Sequence, residues 1–294
     1  MANHQHADPE ISVSLLLDTE SLTARDILCR GECRHRSEEE CVTATHLVFP
    51  YRGVYVRHVG RKDSVAEANQ VLFFNESESY RISHPVGGGD ACISMKLDAS
   101  LLQELAPKEQ LHEGGSLVFK EHRQRIDSGV QALAAQFRYG LQHQLIDPLE
   151  AESIAVALVR SALGERTSGV MLAGSAGPAR RKSLSQVRHK LVDRAKLALS
   201  SDLARRWTLA EIASQVGASP VYLTQLFQQL EGMPLYRYQL RLRLARALDL
   251  LDRYDDLSSL GMDLGFSSHS HFTSAFRQTY GRTPAEFRRS IRPR

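Results

Sequence analysis

The spacing of apolar residues changes three times along this chain of 294 residues, and the changes divide it into different kinds of structure. Up to about residue 105 the apolar positions fall in short runs, THLVFPYRGVYVRHVG, QVLFFN and DACISMKL, separated by Gly, Asn and Pro. That pattern predicts antiparallel strands in a barrel or sandwich. From about 121 to 163 the period lengthens to that of helices, in HRQRIDSGVQALAAQFRYGLQHQLI and DPLEAESIAVALVRSAL. The two stretches part at Asp147-Pro148, and proline suits the first position of a helix, so an αα-hairpin is expected. Residues 164–183 carry no apolar period and include Gly164, Gly169, Gly174, Gly177 and Pro178, the composition of a linker. From residue 184 onward the pattern is wholly helical. The expected class is α+β: an antiparallel β barrel with a helical pair over 1–163, a linker over 164–183, and an all-α domain over 184–294.

The helical part contains an internal repeat. Laying IASQVGASPVYLTQLFQQLEGMP on LGMDLGFSSHSHFTSAFRQTYGRTP sets Gly217 on Gly265, then Leu223, Phe227 and Gly232 on Phe272, Phe276 and Gly281. Each copy reads as a helix-turn-helix: glycine stops the first helix, and a serine, Ser219 or Ser267, caps the second. Between them, Leu235, Leu242, Ala245, Leu248 and Leu251 recur at helical spacing over 234–253. One helix of about 30 Å is expected there, a rod that sets two reading units roughly 34 Å apart, one turn of DNA. Phe272 and Phe276 lie four residues apart and belong to the core of the second unit. His269 and His271 lie about 200° apart around a helix and so face different ways, as surface residues and not as a metal pair. Trp207, just before the first unit, is expected to pack between helices.

Charge sharpens this division. The whole chain carries +3, but residues 180–294 hold 20 Lys/Arg against 10 Asp/Glu, while residues 1–179 hold 17 against 24. A basic third on an acidic remainder points to an anionic partner for that third. No run approaches the roughly 20 apolar residues that span a bilayer, so no membrane partner is expected. The opening MANHQHADPEI lacks a basic-then-apolar leader pattern, so a cytoplasmic setting with reduced cysteines is expected.

The segments GFSSHSHFTSAFRQTYGRTPAEFR and LAEIASQVGASPVYLTQLF resemble the two helix-turn-helix motifs of AraC/XylS-type transcription regulators, in the family's order and separation. The resemblance covers the last hundred or so residues. It implies a seven-helix DNA-binding domain whose two recognition helices enter successive major grooves. Carried onto this sequence, the first reading surface is Val221, Tyr222, Thr224, Gln225 and Gln228. The second is His269, Ser270, His271, Thr273 and Ser274, with Arg277 and the pair Arg288–Arg289 as phosphate anchors. Many members of the family carry Arg where Gln225 and Ser274 stand. The N-terminal part resembles, more weakly, the family's cupin-like sensor domain. The resemblance further implies a homodimer through the helical pair, contact with RNA polymerase, and a small-molecule or metal effector.

Two other readings stay open on the residues. Cys29, Cys33, Cys41 and Cys92, with His46 and His84 as further donors, suit a soft metal or a redox sensor. Their C-x3-C-x7-C spacing is not a standard zinc spacing, and reduced, packed thiols fit equally. A cupin-type metalloenzyme needs a histidine pair with a carboxylate on facing strands. His46, His58 and His84 are isolated, and no GxSxG elbow or phosphate loop occurs, so no catalytic residue is expected.

Overall fold

The computed structural model describes residues 10–112, 117–164 and 178–292. Among the described residues ten strands are present: β1 (Ile11–Asp18), β2 (Leu22–Cys29), β3 (Glu40–Cys41), β4 (His46–Arg52), β5 (Tyr55–Val59), β6 (Lys62–Ala66), β7 (Gln70–Phe74), β8 (Ser79–Ser83), β9 (Asp90–Leu97) and β10 (Arg123–Arg125). They form two antiparallel sheets, β1-β2-β9-β4-β7-β10 and β3-β8-β5-β6. Helix α1 (Ala99–Leu105) precedes β10, and the helical pair follows as α2 (Ser128–Gln142) and α3 (Pro148–Leu163).

Alternation in the central strands explains the layering. Leu47 and Phe49 of β4, Val71 and Phe73 of β7, and Ile93 and Met95 of β9 face one way, into a core shared with Ala134, Phe137, Ala155 and Leu158 of α2 and α3. Their neighbours Val48, Leu72, Phe74 and Cys92 face the other way, packing with Tyr55 and Ala66 of the smaller sheet. The central strands of the six-stranded sheet are thus buried on both faces, which is why VLFF of β7 is apolar without interruption. The helical zone begins later than its sequence suggests. HRQRIDSG supplies β10, whose Arg123 pairs with Leu72 on the sheet edge, and α2 starts only after Asp127, whose carboxylate accepts from Val130 N. Asp147 caps α3 in the same way, with Pro148 in its first turn as expected.

Among the described residues seven helices follow: α4 (Pro178–Ser201), α5 (Leu209–Val216), α6 (Pro220–Glu231), α7 (Leu235–Leu250), α8 (Leu257–Asp263), α9 (His269–Tyr280) and α10 (Pro284–Ile291). Helix α4 starts inside the stretch expected to be a linker, whose residues 165–177 lie outside the described ones. Among the described residues no helix is long and apolar enough to cross a membrane.

The two halves meet through α7. Asp249 is 1% exposed and binds Arg52 Nε of β4 at 2.9 Å, Arg138 Nη2 of α2 at 3.2 Å, and Arg246 of its own helix. Tyr139 OH donates to Asp249 O at 2.7 Å, and Tyr238 OH to the fully buried Glu67. Arg123 reaches Asp193 of α4 at 2.9 Å. Lys196, fully buried, lies 2.6 Å from Glu231. Ala135 and Tyr139 of α2 pack in one apolar cluster with Leu248, Leu260, Phe276 and Phe287.

Candidate nucleic-acid interface

Each recognition helix is set by local chemistry that the sequence carries. In the first unit, Thr208 and Glu211 form a capping box at the start of α5, and Gly217 ends it at φ 71°, a left-handed conformation that glycine adopts without strain. Ser219 then caps α6, accepting from Tyr222 N. The second unit differs by one residue. Gly265 follows α8 at φ 80°, and a Cβ there would sit 2.2 Å from Ala204 O, so only glycine fits. Its turn is one residue longer, and the cap of α9 is Ser268, not Ser267. Ser267 Oγ instead lies 3.0 Å from His271 Nδ1.

The buried faces carry the repeat: Leu223 and Phe227 of α6, like Phe272 and Phe276 of α9, are fully buried. The opposite faces point outward in register. Val221, Tyr222, Gln225 and Gln228 are exposed on α6, and Ser270, His271, Ser274 and Arg277 at the equivalent places on α9, with Thr224 and Thr273 half-buried. Thr224 Oγ1 donates back to Pro220 O at 2.9 Å, so its methyl is the part left to face a partner. His269 lies between Ser258 Oγ and Thr273 Oγ1, each at 3.3 Å, while the His271 ring packs edge-on to Phe266. The two imidazoles are therefore committed to different neighbours, as their spacing predicted. Trp207 packs against the first unit's core, with Arg205 4.0 Å over its ring.

Two arginines have roles the repeat did not reveal. Arg243 of α7 donates to Leu203 O at 2.5 Å, Arg205 O at 2.9 Å, and Ala204 O and Gly265 O at 3.2 Å. One guanidinium thus clasps the segment entering the first unit and the turn of the second. Arg288, expected as a phosphate anchor, donates to the carbonyls of Tyr254 and Asp255 at 2.9 and 3.0 Å and closes the turn after α7. Arg289 beside it is exposed. Helix α7 itself has 16 residues, about 24 Å at 1.5 Å per residue, shorter than the rod the leucine spacing predicted.

The four cysteines do not come together. Cys92 is buried among Val48, Tyr55 and Phe74, where burial pushes its thiol well up in pKa. Cys41 is exposed on β3, and Cys33 Sγ donates to His35 O at 2.9 Å. His46 stacks on Phe74, with Nδ1 2.8 Å from Ala44 O. Among the described residues one group of three potential metal ligands is present, Cys29, His84 and Asp90.

The basic, twice-repeated helix-turn-helix with matched outward faces defines a class, a two-headed DNA-binding domain. Residues 212–290 match the family described as "Helix-turn-helix domain". Among curated proteins, this chain is 38% identical over 94 residues to regulatory protein PocR of Salmonella typhimurium, covering 32% of this chain and 30% of the relative. It is 31% identical over 106 residues to transcriptional activator RhaR of Klebsiella pneumoniae, covering 36% and 38%. Among solved structures, an AraC-type transcriptional regulator from Chromobacterium violaceum aligns at 32% identity and TM-score 0.34, over 35% of this chain and 93% of that one. The chain spans about a third of the length of the curated relatives it matches. The resemblance to AraC/XylS-type regulators therefore holds for the C-terminal third, and these relatives are transcription regulators.

Proposed function

We propose that this protein is a cytoplasmic, sequence-specific transcription regulator of the AraC/XylS type, without catalytic activity, whose N-terminal domain controls how α6 and α9 engage duplex DNA. The observation that carries the reading is the pair of outward faces in equivalent positions on two recognition helices. Gln225 reads a base edge, since a glutamine can pair with adenine through two hydrogen bonds, and Thr224 offers its methyl to thymine. Val221, Tyr222 and Gln228 complete the first surface, and His269, Ser270, His271, Thr273 and Ser274 the second. Arg277 anchors phosphate. The helical pair α2–α3 supplies a homodimer contact through the outer face of α3, because α2 is occupied by the sheet and by α7. The bound dimer recruits RNA polymerase. An effector, small molecule or metal, acts through the β domain, which bears on α7.

Genomic fragments selected by the full-length protein supply the operator, and binding to it is then titrated by fluorescence anisotropy. Affinity is expected to fall steeply with salt, with a log–log slope of about −0.9 for each phosphate neutralised. A flat response would count against docking along the duplex.

Reading and anchoring separate by mutation. Gln225→Ala is expected to cost about 1–3 kcal/mol on the preferred site and to relax preference at one base pair. Arg277→Ala is expected to weaken all sites alike. Uniform losses across a randomised library for both variants would remove Gln225 from the readers.

A further inference from the structure

We propose that Cys29, His84 and Asp90 form a binding site for a divalent ion of the zinc class, independent of the DNA-reading face. One donor atom from each residue, a sulfur, a nitrogen and an oxygen, lies within 4.8 Å of the other two. The site is built by the fold. Cys29 ends β2 and Asp90 begins β9, directly opposite each other in the ladder. His84 follows β8, its backbone N–H donates to Cys33 O at 2.8 Å, and its Nε2 lies 2.7 Å from Asp90 Oδ2.

Three segments are drawn together here more closely than side chains would allow. A Cβ on Gly89, at φ 70°, would lie 2.5 Å from Cys29 O, and one on Gly31, at φ 67°, would lie 3.0 Å from Gly89 Cα. Gly31 N also donates to Cys29 Sγ at 3.3 Å. The last glycine of the run GGG thus serves this corner.

A second observation points to a ligand. The His84 side chain is 6% exposed and stands between Asp90 and Cys29, interacting with both. An ion bound through Nε2 would take the place of the hydrogen bond to Asp90, so that ring and carboxylate both ligate it. Cys29 is only half-buried, which leaves an approach from solvent. The donor set decides the ion. A single thiolate with imidazole and carboxylate is too soft for magnesium or calcium and too poor in sulfur to favour copper(I), and it suits tetrahedral zinc. Three protein ligands leave a fourth position for water or an outside ligand.

The test uses the reduced, metal-stripped full-length protein, titrated with zinc(II) and with cobalt(II) as the spectroscopic probe. One equivalent of either ion is expected to bind, and cobalt is expected to show a thiolate-to-metal charge-transfer band. Cys29→Ser, a near-isosteric change, should abolish that band and weaken zinc by about tenfold or more. Cys33→Ser and Cys41→Ser should change neither. Thermal melts of each variant without metal establish that it is folded. No stoichiometric uptake, cobalt held without a thiolate band, or a band that survives Cys29→Ser or vanishes in Cys33→Ser would each overturn the site.

Discussion

Asp249→Asn is expected to destabilise the full-length protein by about 3–5 kcal/mol, because it removes the charge of a buried carboxylate on which three arginines converge. Arg52, Arg138 and Arg246 converge on this carboxylate, and Arg138 is also packed over the rings of Tyr51 and Tyr139, with no route to solvent. Asparagine keeps the volume and loses the charge, so the loss reports the cations left uncompensated. Asp252→Asn is the control. Its carboxylate pairs with Arg292 at 2.8 Å but is 26% exposed, and pairs in that setting contribute about 0–1 kcal/mol. Urea unfolding of the two variants beside the parent decides the matter, and equal small losses would reject a central role for Asp249. The difference also depends on pH. Burial pushes the Asp249 pKa up, but Arg52, Arg138 and Arg246 outweigh it and hold the group below its ordinary value of 3.8. A carboxylate depressed by folding stabilises the protein fully above the unfolded value and loses that contribution as pH falls through the folded one. Parent and variant are therefore expected to converge only in strong acid, below about pH 4.

The other large effect is expected from Phe272→Ala, at about 3–5 kcal/mol for an emptied aromatic site. The ring is fully buried, with Phe266 at 5.1 Å and Phe276 at 5.9 Å between centroids. Helix α8 crosses it so closely that a Cβ on Gly261 would lie 3.0 Å from Phe272 Cβ. Because the residue faces away from the proposed DNA surface, its loss should act by loosening α9. Nuclease footprints should then shorten to the half-site read by α6, and amide exchange should rise in α8 and α9 before the rest of the chain. Leu223→Ala, the equivalent change in the first unit, should shorten the footprint from the other end. A full-length footprint at undiminished affinity for both variants would show that the buried phenylalanine and leucine do not position the reading helices.

What the sequence shows is mostly local. Helix boundaries at Asp147-Pro148, Gly217, Gly232 and Gly281 are readable because caps and left-handed glycines act over three or four residues. The two reading surfaces follow from the repeat, since burying Leu223, Phe227, Phe272 and Phe276 leaves the opposite positions outside. The second serine cap was displaced by one residue because aligning the glycines hid the longer turn. The short strand β10 escaped notice because HRQR has no strand pattern, and it pairs only because the edge of β7 is beside it.

Contacts between the halves were illegible for a different reason. Arg52 and Asp249 are 197 positions apart, and a buried ion pair leaves no periodic trace in a sequence. The leucine pattern suggested one apolar stripe on α7, yet Gln239 and Asp249 are buried too, because the helix is covered by both units and by the β domain. The cysteines misled through proximity in sequence. The partners that Cys29 meets are Asp90, opposite it in the ladder between β2 and β9, and His84, which follows β8 of the other sheet.

The Arg243 clasp bears on the DNA as much as on the protein. A guanidinium that grips carbonyls at 203–205 and at Gly265 holds the two units as one rigid caliper. A caliper measures phase: the second half-site must present its groove on the same side of the duplex as the first. Inserting about five base pairs between them turns it half a helical turn away, whereas a full turn of about ten restores the face but exceeds the reach of α7. On the proposed function, the half-sites for α6 and α9 are expected to be constrained in their spacing as strictly as in their bases, and a perfect pair at the wrong interval is expected not to bind both helices.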